Sequence, residues 1–150
     1  MKSANLTRTA RRSAKPPART RGTRAASKHH TRGQRGEDLA AAHLERLGYR
    51  ILARNWRSAL TRNEIDLIAQ NRGCVVFVEV KTARTSGFGE PLSWITPRKQ
   101  AAIIKAALAY MAQWEGPATE FRFDAIGITP SKNGGPPTLE HICGAFTCDQ

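Results

Sequence analysis

Residues 63–81 have the sequence NEIDLIAQNRGCVVFVEVK, in which two apolar runs flank a short turn at Arg72-Gly73. A two-residue turn that contains Gly, between runs rich in Val and Ile, is typical of a β-hairpin. With this turn, the residues that face one another define one wholly apolar face. A slip of one residue would move charged side chains onto that face, so the alternation predicts the register. The apolar pairs are Ile65 with Val80, Leu67 with Val78, and Ala69 with Val76.

The opposite face of the predicted hairpin places two carboxylates directly across from each other. Asp66 opposes Glu79 in this register, and opposed side chains have their Cβ atoms about 4.5–5.5 Å apart. Two carboxylates that close repel each other unless a proton or a cation lies between them. Mg²⁺ or Mn²⁺ suits such a position because hard divalent cations take oxygen ligands. The pair therefore predicts a metal site.

Lys81 extends this candidate site. It lies two residues after Glu79 and so shares its face of the strand. There its ammonium group can hold an attacking water or meet charge that develops on a phosphate. A simpler alternative stays open, because Glu-x-Lys is a common strand pattern and Glu64 opposite Lys81 would be an ordinary cross-strand pair.

Glu37 is the fourth candidate, on a helix predicted from Gln34 to Leu47 and ended by Gly48. At about 100° per residue it lies at the margin of the apolar helix face, from which it can point toward the sheet. The alternative is that a carboxylate in the first helical turn offsets the helix dipole.

The remaining pattern predicts one α/β domain with the element order α-β-β-β-α-β and a last edge strand. Thr96 and Pro97 are typical of a helix start, which places the second helix from there to about Trp114. The other predicted strands are 49–56, 121–129 and 139–146, and residues 82–93 form a loop.

The positive charge of the 150-residue chain is concentrated at its N-terminus. The formal net charge is +12, yet residues 1–36 contain 11 basic and no acidic residues, so the remainder is nearly neutral. This segment is too poor in apolar residues to form a core, which predicts a disordered arm over residues 1–32 and a folded domain over 33–150. Three interpretations of the arm stay open: a nucleic-acid-binding arm, an organelle transit peptide, or a solvated extension.

Cysteine content and hydropathy bear on the compartment. Three cysteines and no apolar leader segment predict a cytoplasmic location without disulfides. No apolar run approaches the roughly 20 residues that a membrane-spanning helix needs, so no membrane partner is expected. His141 and Cys143 lack the usual spacing of a zinc site, and Asp124 is expected to pair with an Arg.

Six stretches of the sequence, taken together in order and spacing, resemble the YraN-like uncharacterised family. They are Gly33-x-x-Gly36-Glu37, Tyr49 to Asn55, Glu64 to Ile68, Val76 to Lys81, Thr96 to Gln100 and Arg122-Phe123-Asp124. That family is similar to archaeal Holliday-junction resolvases of the restriction-endonuclease-like superfamily. The resemblance covers residues 34–146 and implies an αβββαβ core with a mixed central sheet. It also implies a catalytic set in which the three carboxylates are metal ligands and the Lys faces water or phosphate: Glu37, Asp66, Glu79 and Lys81.

The sequence departs from the family pattern at two positions beside this set. Asn63 stands where Gly is usual, and Asn tolerates a positive φ better than most residues, so a tight turn is retained. Ala83 stands where a basic residue is common, although Arg84 follows it.

Four polar residues that flank the site are candidates for nucleic-acid contacts, with a solvated surface as the alternative. They are Arg84, Arg98, Lys99 and Gln100. The expected function is that of a Mg²⁺- or Mn²⁺-dependent endonuclease that acts on DNA, branched or single-stranded. Two other classes stay open: a catalytically silent nucleic-acid-binding module with a nuclease-like fold, and an adaptor whose arm docks on another assembly. A homodimer is compatible with the resolvase resemblance.

Overall fold

The computed structural model describes residues 31–84, 91–118 and 120–148. Within these ranges the chain has the predicted order αβββαβ with an additional last strand, so the α/β fold class is confirmed. Residues 1–30, which make up most of the predicted arm, lie outside the described residues. The elements are α1 Arg32–Arg46, β1 Arg50–Arg57, β2 Glu64–Asn71, β3 Cys74–Thr82, a 3-10 turn Pro91–Trp94, α2 Pro97–Met111, β4 Glu120–Thr129 and β5 Thr138–Phe146.

The five strands form one mixed sheet in the order β1-β2-β3-β4-β5. β3 and β4 are parallel, and the other neighbouring strands are antiparallel. A parallel pair needs a long crossover connection, and α2 lies in the connection between β3 and β4. The sheet therefore has α2 on one face and α1 on the other.

α1 begins two residues earlier than the periodicity predicts, because Thr31 closes its first turn. The Thr31 hydroxyl accepts a hydrogen bond from the Gln34 backbone N–H, and the Gln34 side-chain oxygen accepts one from the Thr31 N–H at 2.8 Å. Together these two bonds form a capping box. At the other end Gly48 has a φ of 85°, the left-handed conformation that commonly ends a helix.

Each helix covers its own apolar core. α1 packs Ala40, Ala41 and Leu44 onto one face of the sheet. α2 packs Ile103 and Tyr110, with neighbouring alanines, onto the other. The sheet residues under α1 include four of the predicted apolar face: Leu67, Ala69, Val76 and Val78.

The hairpin has the predicted register from Asn71↔Cys74 to Leu67↔Val78. Beyond that pair the ladder between β2 and β3 stops. Ile65, predicted to share a face with Leu67, packs instead into the core under α2. The same change of face occurs in β1, where Arg54 pairs with Asp38 of α1, whereas Trp56 contacts the Tyr110 ring of α2.

A backbone irregularity accounts for this change of face. Asn55, between the two β1 residues just named, has a φ of 47°. A left-handed residue inside a strand breaks the alternation of side chains, and Asn is among the residues that tolerate it. Because Trp56 is paired with Ile65, β2 changes face at the same point. The strands therefore open around Asp66, the residue between Ile65 and Leu67.

Neither helix within the described ranges is long and apolar enough to cross a bilayer.

Candidate active site

A cleft of about 800 Å³ opens where β2 and β3 separate. All four residues of the predicted catalytic set line it. The cleft residues are Arg32, Gly33, Glu37, Asp66, Glu79, Val80, Lys81, Thr82, Arg84 and Lys99. The lining side chains thus come from both helices and from both strands of the β2–β3 hairpin.

Asp66 lies at the point where the strands separate. Its Oδ2 accepts a hydrogen bond from the Val80 backbone N–H at 2.8 Å, so the carboxylate binds a backbone group of the neighbouring strand. Burial, followed by the charge of Glu79, raises the pKa of Asp66 to about 7, against the opposing effects of the Val80 N–H and Lys99. The elevated pKa means that a second negative charge in this position is costly unless a cation accompanies it.

Glu79 is held at the base of the cleft, with 2% of its side chain exposed. Lys81 Nζ lies 2.8 Å from Oε1, and Lys99 Nζ lies 3.2 Å from Oε2. The second contact is an ion pair by distance but lacks hydrogen-bond geometry. Glu79 Oε2 is therefore buried without a hydrogen-bond donor among the described residues.

Glu37 reaches the cleft from α1. Its Oε2 accepts a hydrogen bond from Asn55 Nδ2 at 2.9 Å, so the left-handed residue of β1 also orients this carboxylate. Gly36 allows the approach, because a Cβ at that position would collide with Thr82 Oγ1 on β3. The neighbouring Asp38 points away and pairs with Arg54 at 2.6 Å.

The donor set fits a hard divalent cation. Carboxylates from α1, β2 and β3 line one cleft, and oxygen ligands of this kind suit Mg²⁺ and Mn²⁺, but their oxygens do not all lie within 4.8 Å of one another, so an ion would have to draw them together. Glu79 Oε2 supplies a buried oxygen with no hydrogen-bond donor within the described part of the chain. Thr82 also lines the cleft, and its Oγ1 is buried without a hydrogen-bond partner among the described residues. The residues that would hold the ion are Glu37, Asp66 and Glu79.

Comparison with known proteins identifies the chain. The model of "Uncharacterised protein family UPF0102" matches residues 36–128, a range that contains Glu37, Asp66, Glu79 and Lys81. The chain belongs to family UPF0102. A UPF0102 protein of Geobacter sulfurreducens is 48% identical over 120 residues, which is 79% of this chain and 91% of that protein. A UPF0102 protein of Acidothermus cellulolyticus is 43% identical over 81% of this chain and 97% of its own length. A third, from Chlorobium phaeobacteroides, is 45% identical over 78% and 94%.

The predicted nucleic-acid contacts of this UPF0102 chain are only partly brought to the cleft. Arg84 and Lys99 line it, and Lys99 reaches Glu79 itself. Arg98 is exposed at the start of α2 and is not among the lining residues. Gln100 donates its side-chain N–H to the Ile95 carbonyl at 3.0 Å, which ties it to the turn before the helix. A nucleic-acid contact by any of these residues stays a prediction.

Two lining residues of the UPF0102 cleft, and one residue that contacts Glu37 beside it, are not predicted from the sequence. Asn55 was part of a family-like stretch, but nothing in the local pattern showed that its amide would meet Glu37. Arg32 was assigned to the arm, yet it begins α1 and lines the cleft. Thr82 was placed in a loop but ends β3.

A second polar cluster surrounds Asp124 on β4, remote in sequence from the cleft residues. Arg122 donates two hydrogen bonds to its carboxylate, at 2.7 and 2.9 Å, which confirms the predicted Arg partner. His141 Nε2 lies 2.9 Å from Oδ2, and the Gly144 N–H donates to Oδ1 at 3.0 Å. Burial alone would raise the pKa of Asp124, but the hydrogen bonds from Arg122 and His141 outweigh it and lower that pKa to about 2.

This second cluster is structural. A carboxylate has about four lone-pair positions, and Asp124 already accepts four hydrogen bonds, from three residues. Cys143 Sγ lies 3.7 Å from His141 Nε2, so an Asp–His–Cys group is present. A metal ion there would have to displace a hydrogen-bond donor from Asp124, whereas at Glu79 Oε2 it would replace only the ion-pair contact with Lys99.

Proposed function

We propose that this UPF0102 protein is a Mg²⁺- or Mn²⁺-dependent phosphodiesterase that acts on nucleic acid, with DNA as its substrate. The observation that carries the proposal is the convergence of three carboxylates from three elements on one cleft, with Lys81 bound to the most buried of them. Asp66 and Glu79 are not ladder partners, but two buried carboxylates close to each other cost stability unless a cation accompanies them. A protein that only bound nucleic acid would have no use for them.

The residues of the cleft divide the chemistry among them. Glu37, Asp66 and Glu79 would hold the ion, which supplies a water of lowered pKa and a positive charge beside the phosphate. Lys81 is 37% exposed on its side chain, so its ammonium group faces the cleft while it stays 2.8 Å from Glu79 Oε1. It is placed to hold a water or to meet the negative charge that develops on a phosphoryl oxygen.

Charge around the cleft supports a polyanionic substrate. Arg32, Arg84 and Lys99 line the cleft beside the carboxylates. Such side chains position a phosphate backbone without reading its sequence. Residues 1–30 of the sequence add nine basic residues and no acidic one, and they join the domain directly before Arg32. A chain of phosphates could therefore contact the cleft and the basic segment together, which favours a nucleic acid over a small phosphate ester.

The test compares conservative variants of the cleft with a matched control. Asp66→Asn and Glu79→Gln remove a charge while they keep the side-chain shape, and each is expected to lower the cleavage rate at least ~100-fold. Asp38→Asn is the control, because this carboxylate pairs with Arg54 outside the cleft. Branched, flapped and single-stranded DNA are incubated with Mg²⁺ or Mn²⁺, and DNA binding is measured separately.

The outcomes separate the two classes. Loss of cleavage in the cleft variants, with DNA binding retained and the control active, supports the phosphodiesterase. If the wild type binds DNA but cleaves none of these substrates with either metal, the protein is a nucleic-acid-binding module with a nuclease-like fold.

A further inference from the structure

Two lysine ammonium groups lie beside the Glu79 carboxylate, although one would balance its charge. Lys81 Nζ approaches Oε1 at 2.8 Å, and Lys99 Nζ approaches Oε2 at 3.2 Å. The Lys81 contact is the shorter of the two, and Oε2 has no hydrogen-bond donor in the described part of the molecule. Lys99 therefore supplies charge at Oε2 without satisfying its hydrogen-bonding capacity.

The position of Lys99 on its helix is unfavourable for a cation. Thr96 caps α2, so Lys99 is the third residue of the first turn, and its backbone N–H donates to the Thr96 hydroxyl. The helix dipole disfavours positive charge in this turn. The contact with Glu79 opposes that cost.

Lys99 is partly exposed, whereas its partner Glu79 is buried. Its side chain is 35% exposed, whereas that of Glu79 is 2% exposed. Lys99 also acts through its charge on Asp66, the other carboxylate of the strand pair. Its ammonium group thus lies in the field of both acids, where a divalent cation would bind, and open space in the cleft is available to it.

We propose that Lys99 is a built-in cation, which neutralises the Asp66–Glu79 pair in the metal-free protein and withdraws toward the cleft when a divalent ion binds. The inference rests on the proposed metal site and deepens it. Once displaced, the ammonium group lies beside the position of the substrate phosphate. The Lys99 side chain therefore contacts the two carboxylates before the metal binds and the substrate phosphate afterwards. Lys99 thus competes with the metal for the two carboxylates and, once displaced, is a phosphate-binding residue.

The need to displace Lys99 must lower the apparent metal affinity, because the ion competes with the Lys99 ammonium group for the two carboxylates. Removing one unit charge about 5 Å from a divalent ion changes its binding constant about tenfold at the dielectric constant of water. We therefore expect Lys99→Met to bind Mn²⁺ about tenfold more tightly than the wild type. Lys99→Arg, which keeps the charge, is expected to return the affinity to near the wild-type value.

The experiment is calorimetric titration of Mn²⁺ into the full chain, with Lys105→Met as the control. Lys105 is exposed on the same helix and does not line the cleft, so this variant is expected to bind Mn²⁺ as the wild type does. Thermal unfolding in EDTA and in Mn²⁺ gives a second readout. Lys99→Met should have a lower Tm than the wild type in EDTA, because Glu79 loses a partner, and a larger Mn²⁺-induced increase in Tm.

The outcomes distinguish this inference from the proposed function. Tighter binding by Lys99→Met, reversed by Lys99→Arg, supports the built-in cation. Equal or weaker Mn²⁺ binding by Lys99→Met, with binding by the wild type, overturns it and leaves the proposed metal site intact. A purely structural Lys99 would lower the Tm equally in EDTA and in Mn²⁺, which also overturns it. If neither protein binds Mn²⁺, both the inference and the proposed metal site are wrong.

Discussion

The Asp66 carboxylate accepts a hydrogen bond from the Val80 backbone N–H at 2.8 Å, across two strands whose ladder ends one residue earlier at Leu67↔Val78. A side chain thus binds a main-chain donor just beyond the point where ladder pairing ends. The arrangement keeps the buried N–H satisfied while the strands separate. It also fixes one Asp66 oxygen at the side of the cleft, next to Glu79.

The raised pKa of Asp66 predicts how stability changes with pH in the absence of metal. Its pKa is about 7 in the folded protein, against 3.8 as the ordinary value. The folded state therefore retains a proton that the unfolded state loses, and the free energy of unfolding should fall as pH rises from about 4 to about 7. Denaturant unfolding in EDTA at several pH values measures this slope.

The same measurement has a control in which the titrating group is removed. Asp66→Asn cannot titrate and should lose this part of the slope, whereas Asp38→Asn should keep it. Identical pH profiles for the wild type and Asp66→Asn would show that Asp66 is already ionised in the metal-free fold.

Replacement of Lys81 should separate metal binding from hydrolysis. Lys81→Met keeps the carboxylates and removes the ammonium group beside Glu79 Oε1. We expect the single-turnover cleavage rate to fall at least ~100-fold, with Mn²⁺ binding as tight as in the wild type or tighter. Single-turnover kinetics and calorimetry test the two halves. A variant that cleaves at the wild-type rate would exclude Lys81 from the reaction.

Replacement of Asn55 should weaken metal binding, because Asn55 orients the Glu37 carboxylate. Asn55→Gly keeps a residue that accepts a φ of 47° and removes only the amide that donates to Glu37 Oε2. The freed carboxylate has more rotamers to lose on binding, so Mn²⁺ affinity should fall several-fold. Arg72→Gly is the matched control, because Arg72 has the same φ of 47° at the turn of the β2–β3 hairpin and does not line the cleft. Equal Mn²⁺ affinity in the two variants would remove Asn55 from the site.

Deletion of residues 1–30 should weaken nucleic-acid binding without regard to sequence. Each lost phosphate contact is expected to reduce the slope of log affinity against log salt concentration by about 0.7–0.9. The deletion must stop before Thr31, whose hydroxyl caps α1 and so holds Arg32 and Glu37 at the cleft. Titrations of DNA at several salt concentrations measure the slope, and Mn²⁺ binding serves as the control for folding. An unchanged slope would show that the basic segment does not contact phosphates.

The local sequence pattern predicts the β2–β3 hairpin and the start of α2. The register from Leu67 to Asn71 followed from alternation and turn chemistry, and the start of α2 followed from Thr96 and Pro97. The change of face at Asp66 could not be predicted, because it depends on the backbone of Asn55 in a neighbouring strand.

Tertiary placement accounts for the remaining differences at the site. The contact of Lys99 with Glu79 is not predicted by the sequence, because it depends on the crossover that brings the first turn of α2 next to β3; a contact of Lys99 with phosphate stays a prediction. Glu37 reaches the cleft because Gly36 allows α1 to approach β3. A larger residue at position 36 would keep α1 away from Thr82. Both the Lys99 contact and the approach of Glu37 depend on how elements that are remote in sequence pack together, which local patterns do not show.

The most direct test of the central claim is anomalous diffraction from crystals of the protein soaked in Mn²⁺. We predict one strong peak within coordination distance of Asp66 and Glu79 carboxylate oxygens, with Lys99 moved away from Glu79. A peak at the Asp124–His141–Cys143 group instead, or no peak at the cleft at saturating Mn²⁺, would contradict it.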